Sequence, residues 1–210
     1  MPKNDTYQQG IQYPVLSDAP DIEVAMQTLV GGIVPKLVMT FFSANARAAA
    51  LSGANAPIAG MITYLQAEQR WEGYQSNGTW LLLSDGSWSS ITYSSGYSAF
   101  GGAPGYRKKA GGGVELRGRI QKSNGSNLDN SGDPVQFGSI PASLAPAAIR
   151  MFVVPAKLIT TSGVTRHTAR LEVHPDGSLK YLLEAGGGIS SSGYPAWIGM
   201  DGVMFSPDGD

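Results

Sequence analysis

Two histidines and a scatter of carboxylates are the residues with which this chain could carry out acid–base or metal chemistry. His167 and His174 lie seven apart in "TRHTARLEVHPDGSLKYLLE". On one continuous strand that spacing sends them to opposite faces, so they do not converge on a metal ion. His174 also precedes Pro175 and the Asp176-Gly177 turn, which makes it a strand-end residue. The chain has no cysteine, so disulfides and thiolate metal sites are excluded. Glu172, Asp176, Glu184 and Asp201 offer carboxylate pairs for glycoside hydrolysis, yet a β protein with 16 acids always offers such pairs, and spacing selects none. No G-x-S-x-G elbow occurs, and the glycine triplets Gly111 to Gly113 and Gly186 to Gly188 do not lead into a phosphate-cradling G-K-[ST]. "DNSGD" from Asp129 to Asp133 is rich in oxygen ligands but reads as an exposed turn rather than a cation loop. The expectation is a protein with no catalytic residues, no metal and no cofactor.

Positive charge is the next candidate. "YRKKAGGGVELRGRIQ" from Tyr106 to Gln121 concentrates basic residues, which is how a grip on a phosphate backbone would begin. The period of the stretch is two: Val114, Leu116, Gly118 and Ile120 alternate with Glu115, Arg117, Arg119 and Gln121. That is a half-buried strand whose outer face meets water. Lys+Arg number 15 against 16 Asp+Glu, for a net charge of -1, and Glu115 lies inside the cluster. A nucleic-acid surface needs its basic excess sustained, so no nucleic-acid partner is expected.

Aromatic residues remain. Trp71, Trp80, Trp88, Tyr93, Tyr97, Tyr194 and Trp197 are spread over turn-rich sequence. Aromatics beside polar side chains bind sugar rings or form interfaces, and equally they fill cores. Trp80 and Trp197 sit inside strand patterns and are expected in the core. Tyr93, Tyr97 and Tyr194 fit either role and are the candidate surface contacts.

These residues must be positioned by β structure. Gly 28 and Pro 13 with a charged fraction of 15% suit short strands and Gly-rich turns. "MPKNDTYQQG" has no basic-then-apolar leader, and no apolar stretch approaches the length of a membrane span. A soluble chain made in the cytoplasm, with no membrane span, is expected. Three regions follow. Residues 1–36 form an N-terminal segment with one short helix. In "SDAPDIEVAMQTLVGG" Ser17 or Asp18 is the cap, Pro20 falls in the first turn, and Gly31-Gly32 is the stop, which leaves Ile33 just beyond. Ile22, Met26, Leu29 and Ile33 share an apolar face, and so short a helix needs a partner: the rest of the protein or sister chains. Residues 37–85 form a small α+β domain. Leu37 to Phe42 is a strand, Ser43 caps an Ala-rich helix, and three further strands make a meander turning at Asn77-Gly78. Residues 86–210 form an antiparallel β-sandwich with a hairpin at Asp176-Gly177. The fold class is mainly β.

The order of these segments resembles a known family. "LVMTFFSANARAAALSGANAPIAGMITYLQAEQRWEGYQSNGTWLLLS" is similar to a module of tail proteins from phages of actinobacteria, through Gly60-Met61, Tyr64-Leu65, Tyr74, Gly78 and Trp80. The C-terminal half resembles the distal β domain of minor tail and receptor-binding proteins. The matching residues there are Tyr106-Arg107-Lys108, then Val114, Leu116, Gly118 and Ile120. Ile140-Pro141 through Pro146, Asp176-Gly177, and Trp197 through Phe205 follow. The long collagen-like or coiled-coil shaft common in such fibres is absent from this sequence.

The resemblance implies a virion structural protein without catalysis, a homotrimer whose β head contacts the host surface. A host cell-wall glycan is an implied ligand of the head. Its other implied partners are virion tail, baseplate or capsid proteins, with the Ile22/Met26/Leu29/Ile33 face used for oligomerisation or anchoring. A capsid fibre or decoration protein with a purely structural role is the alternative, and a glycan-trimming enzyme is a third.

Overall fold

The computed structural model describes residues 3–4, 11–13, 15, 21–129, 132–161, 164–183 and 194–207. The chain forms two compact units, Met1–Asp85 and Gly86–Asp210.

In the first unit, β1 (Lys3–Asn4) and β2 (Gln12–Tyr13) pair antiparallel. Helix α1 spans Ile22–Ile33 and is capped by Asp21, whose carboxylate accepts from the Val24 amide at 3.0 Å. The expected cap positions, Ser17 and Asp18, lie outside the described residues, as does Pro20. The expected stop at Gly31-Gly32 is corrected: the helix runs through both glycines and includes Ile33. Glycine terminates a helix when it takes a left-handed φ, and neither of these does. What ends α1 is Pro35, which has no N–H to donate, and the chain tightens into a 3-10 turn at Val34–Lys36.

The strands β3 (Met39–Phe41), β4 (Ile62–Leu65), β5 (Arg70–Tyr74) and β6 (Trp80–Leu82) form one sheet in that order. The last three make the expected meander. β3 joins as a fourth strand, parallel to β4. A parallel pair needs a crossover, and helix α2 (Ala44–Ala50) lies within that connection. Ser43 caps it, its hydroxyl accepting from the Ala46 amide at 3.2 Å. Asn77-Gly78 turns β5 into β6, with Gly78 at φ +82° and the Asn77 carboxamide oxygen accepting from Thr79.

The second unit is a near-closed antiparallel β-barrel or sandwich. Its strands are β7 (Ser89–Ser90), β8 (Thr92–Tyr93), β9 (Tyr97–Ala99), β10 (Gly105–Lys108), β11 (Val114–Arg117) and β12 (Arg119–Lys122). They continue with β13 (Val135–Ser139), β14 (Arg150–Thr161), β15 (Val164–Val173), β16 (Ser178–Leu182), β17 (Trp197–Gly199) and β18 (Met204–Phe205). One sheet has the order β18-β11-β10-β7 and the other β8-β13-β16-β15-β14-β17-β12-β9. Phe137, Tyr181, Leu116, Ile120, Leu171, Leu179, Ile198 and Met200 fill the space between them and are fully buried. Each such aliphatic or aromatic side chain contributes about 1.5–3 kcal/mol by leaving water.

The stretch "VELRGRIQ" alternates as expected but is two strands rather than one. Gly118 breaks it at φ +86° and carries the chain from the first sheet to the second. A Cβ there would lie 2.6 Å from the Pro104 Cα, so only glycine fits this corner. The Gly118 amide donates to Asp201 Oδ1 at 2.7 Å, and its carbonyl accepts from the Met200 amide at 2.8 Å. β14 and β15 form a long hairpin whose register shifts between Pro155 and Ile159, where the proline interrupts the ladder.

Candidate functional site

The Gly118 corner organises the most distinctive surface of the second unit. β10 and β11 pair Arg107 with Glu115 and Gly105 with Arg117, and the alternation places Arg107, Glu115 and Arg117 on the face opposite the buried Val114 and Leu116. Both arginines lie against Trp88: the Arg107 guanidinium carbon is 4.6 Å and that of Arg117 4.1 Å from its ring centre. Arg107 Nε donates to Glu115 at 2.8 Å, and Lys109 Nζ stands 3.4 Å from the same carboxylate. These cations hold the Glu115 carboxyl below the usual carboxylate range, the Arg107 hydrogen bond contributing most.

Past the corner the pattern repeats on β12. The Arg119 guanidinium lies 5.3 Å from the Phe100 ring centre and 5.2 Å from that of Trp197. Phe100 and Trp197 are themselves stacked, with centres 5.7 Å apart and planes 16° from parallel. The loop from Phe100 to Pro104 joins the two clusters. Ala103 accepts from Arg117 Nε at 3.1 Å, and a Cβ on Gly101 would lie 3.5 Å from Arg119 Nη2. The result is a surface strip of three half-buried aromatics and three arginines. Trp197 was expected in the core. It is half-buried instead, because it pairs with Gln121 across β12 while its neighbour Ile198 takes the inward position.

Tyr93, Tyr97 and Tyr194 are half-buried and pack against the core. Burial pushes the Tyr93 hydroxyl up. Tyr97 points its hydroxyl to that of Tyr181 at 3.0 Å, and the Tyr181 oxygen accepts from the Asp129 amide at 3.0 Å. Burial, reinforced by the Tyr97 hydrogen bond, pushes Tyr181 well above the ordinary tyrosine range. The three candidate tyrosines therefore do not converge on one another in any described contact. Arg117, Arg119, Trp88 and Phe100 carry the surface strip instead. The alternation in "VELRGRI" already marked both arginines as outward-facing, but the pairing of Phe100 with Trp197 joins positions 97 residues apart and had no local signal.

In the first unit, α1 contains no buried residue. Ile22 is 78% and Met26 54% exposed, while Leu29 and Ile33 are half-buried. Val24 and Val30 add exposed apolar surface to other sides of the helix. An apolar groove lined by Val34, Met39, Phe41, Leu51, Ile58 and Met61 lies beyond the helix's C-terminal end.

The polar groups considered for chemistry are engaged structurally. Glu172 is buried between Arg170 Nη2 at 2.6 Å and His174 Nε2 at 2.8 Å. Asp176 accepts from the Ser178 hydroxyl and amide at the hairpin turn, and these bonds lower its carboxyl below the ordinary range. Glu184 lies outside the described residues. Among the described residues, no group of three or more His, Asp or Glu is placed to hold a metal ion, and no helix is long and apolar enough to cross a membrane.

No known protein family matches this chain, and no curated protein matches it. Among solved structures, the receptor binding protein of Listeria phage PSA has a weak likeness to it, with a TM-score of 0.39 and 16% identity. The match covers 58% of this chain and 64% of that one, so this chain aligns with under two thirds of that protein's length.

Proposed function

We propose that the chain is a non-enzymatic structural protein of a phage virion, a minor tail or tail-fibre-like component whose β head contacts the host surface. The observation that carries this reading is the contrast between the two units. One bears a twelve-residue helix with no buried residue and an apolar exposed face, and the other bears an aromatic and arginine strip on a rigid β scaffold. A face of Ile22, Met26, Leu29 and Ile33 is suited to packing against copies of itself about a three-fold axis, in a homotrimer, or against other virion proteins. The ordered motifs of the sequence support an origin among phages of actinobacteria. On this reading the regions 1–36, 37–85 and 86–210 are respectively anchor, small connecting domain and head. Tyr93, Tyr97 and Tyr194 take part in surface contact only through the edges they expose.

Fluorescently labelled full-length chain is expected to decorate cells of at least one actinobacterial strain and to block phage adsorption to it. A chain found in purified particles that decorates no strain infected by those particles would instead favour a decoration protein of purely structural role. The exposed Phe42, Leu37 and Val38 of the first unit suit that second reading as well. Absence of the chain from purified particles would overturn both.

A further inference from the structure

Arg117 and Arg119 flank the Gly118 corner, and among the described residues neither forms an ion pair. Each guanidinium lies instead against aromatic rings, Arg117 over Trp88 and Arg119 over Phe100 and Trp197. Glu115 and Asp201, the acids held at this corner, already have partners: Glu115 is matched by Arg107 and Lys109, and Asp201 accepts from the Gly118 amide. Stacking occupies the flat face of a guanidinium. Arg117 Nε donates to the Ala103 carbonyl, and its two terminal nitrogens, like the N–H edge of Arg119, are left for an oxyanion, which they can engage in a bidentate way. The neighbouring rings supply apolar surface of the kind that packs on a pyranose. Two guanidiniums with no acid partner among the described residues, joined to aromatic platforms, select a ligand with both negative charge and rings. A nucleic acid would meet the same chemistry, but the chain's net charge of -1 provides no sustained basic field to hold one.

We propose that this corner is a binding site for an anionic saccharide. Arg117 and Arg119 receive its phosphate or carboxylate oxygens, and Trp88 and the Phe100–Trp197 pair contact its rings. The inference rests on the reading of the second unit as a host-contacting head, and it adds the charge of the ligand and the residues that meet it. The test is titration of full-length protein with phosphomannan, the same mannan after phosphate removal, polygalacturonate and a single-stranded oligothymidylate. Binding to phosphomannan or to polygalacturonate is expected, and which of the two binds identifies phosphate or carboxylate as the recognised group. Substituting Arg117→Gln with Arg119→Gln is expected to weaken binding of the recognised polymer by at least about tenfold, and where that polymer is phosphomannan, removing its phosphate has the same effect. A charge-matched control, Lys36→Gln with Lys180→Gln, the second on β16 four strands away from β12, leaves binding unchanged.

Should the glutamine pair fold poorly, Arg117→Lys with Arg119→Lys replaces it. That pair retains charge without the fork and is expected to bind more weakly than the parent, with affinity that falls as salt is raised. Neutral mannan that binds as tightly as a bound phosphomannan, binding insensitive to salt, no binding to either anionic polymer, or tighter binding of the oligothymidylate would overturn the proposal. Cell decoration separates the two levels. If the parent decorates cells and the glutamine pair does so equally, the site is wrong and the head reading stands. If the parent binds the anionic polymer but no cell, the site stands and the head reading falls.

Discussion

Arg47 is one of the most constrained side chains in the first unit. It is 6% exposed, with Nη1 at 2.6 Å from Glu72 and 2.9 Å from the Thr63 hydroxyl, and its guanidinium lies 3.7 Å from the Trp80 ring centre. Arg70 Nε holds the other Glu72 oxygen at 2.7 Å. This network ties α2 to the sheet, and Trp80, expected in the core, is half-buried beneath the arginine. Removing Arg47 leaves the buried Glu72 carboxylate with the partly exposed Arg70 as its remaining cation and the buried Thr63 hydroxyl without its donor. Arg47→Ala is therefore expected to destabilise the first unit by up to about 3–5 kcal/mol, measured by urea unfolding of the full chain. A smaller loss in the double variant Arg47→Met with Glu72→Leu would agree with this cause, and equal losses would contradict it. Gly177 shows constraint of a different kind. It sits at φ +84°, and a Cβ there would collide with the Ile140 carbonyl oxygen, while its own carbonyl accepts from the Ile140 amide at 3.0 Å. Gly177→Ala is expected to cost more than the roughly 1 kcal/mol of ordinary backbone substitutions, read as a lowered melting temperature.

At the scale of elements, α1 is the least self-sufficient part of the molecule. A helix of about three turns is marginal in isolation, and this one carries a single acid, Glu23, and no basic residue in its last turn. Its apolar residues are exposed along more than the one face marked by Ile22, Met26, Leu29 and Ile33. The proposed assembly through this helix predicts that light scattering on the full chain gives about three times the monomer mass of 22.0 kDa. Ile22→Glu with Met26→Glu is expected to return it to the monomer mass, because like charges brought together on an apolar seam repel and desolvate. A trimer that survives those substitutions would move the interface elsewhere.

Across the whole molecule, stability against pH follows from groups in both units. The Ala44 amide hydrogen bond holds the Glu68 carboxyl below its ordinary range, as Arg107 does for Glu115 and the Ser178 hydroxyl for Asp176. A carboxyl depressed by folding stabilises the native state above its unfolded value, and that contribution disappears as pH falls. The acid limb is therefore expected to begin as pH drops through the ordinary carboxylate range near about 4 and to continue below it. Tyr181 has the opposite sign. Its raised hydroxyl stabilises the native state below about pH 10 and the contribution erodes as pH rises beyond that value. Tyr181→Phe is expected to flatten the alkaline limb of a melting-temperature profile, and an unchanged limb would assign it to other groups.

Period-two alternation, turn glycines and the absence of cysteine were enough to determine a mainly β chain with a short helix, a small mixed region and an antiparallel body. They also determined the hairpin at Asp176-Gly177, the turn at Asn77-Gly78 and the outward direction of Arg117 and Arg119, because each depends on backbone preferences within a few residues. Where α1 ends was misread because glycine is permissive in either hand, whereas proline is not, and Pro35 prevailed. Tertiary structure alone decided the rest. β3 joined its sheet in parallel, "VELRGRIQ" split between two sheets at Gly118, and the tyrosines turned toward the core. Phe100 met Trp197 over Arg119 through β9, β12 and β17, strands adjacent in space but far apart in sequence. Local periodicity tells which side of a strand a residue faces, but only the pairing of strands tells which other residues it will find there.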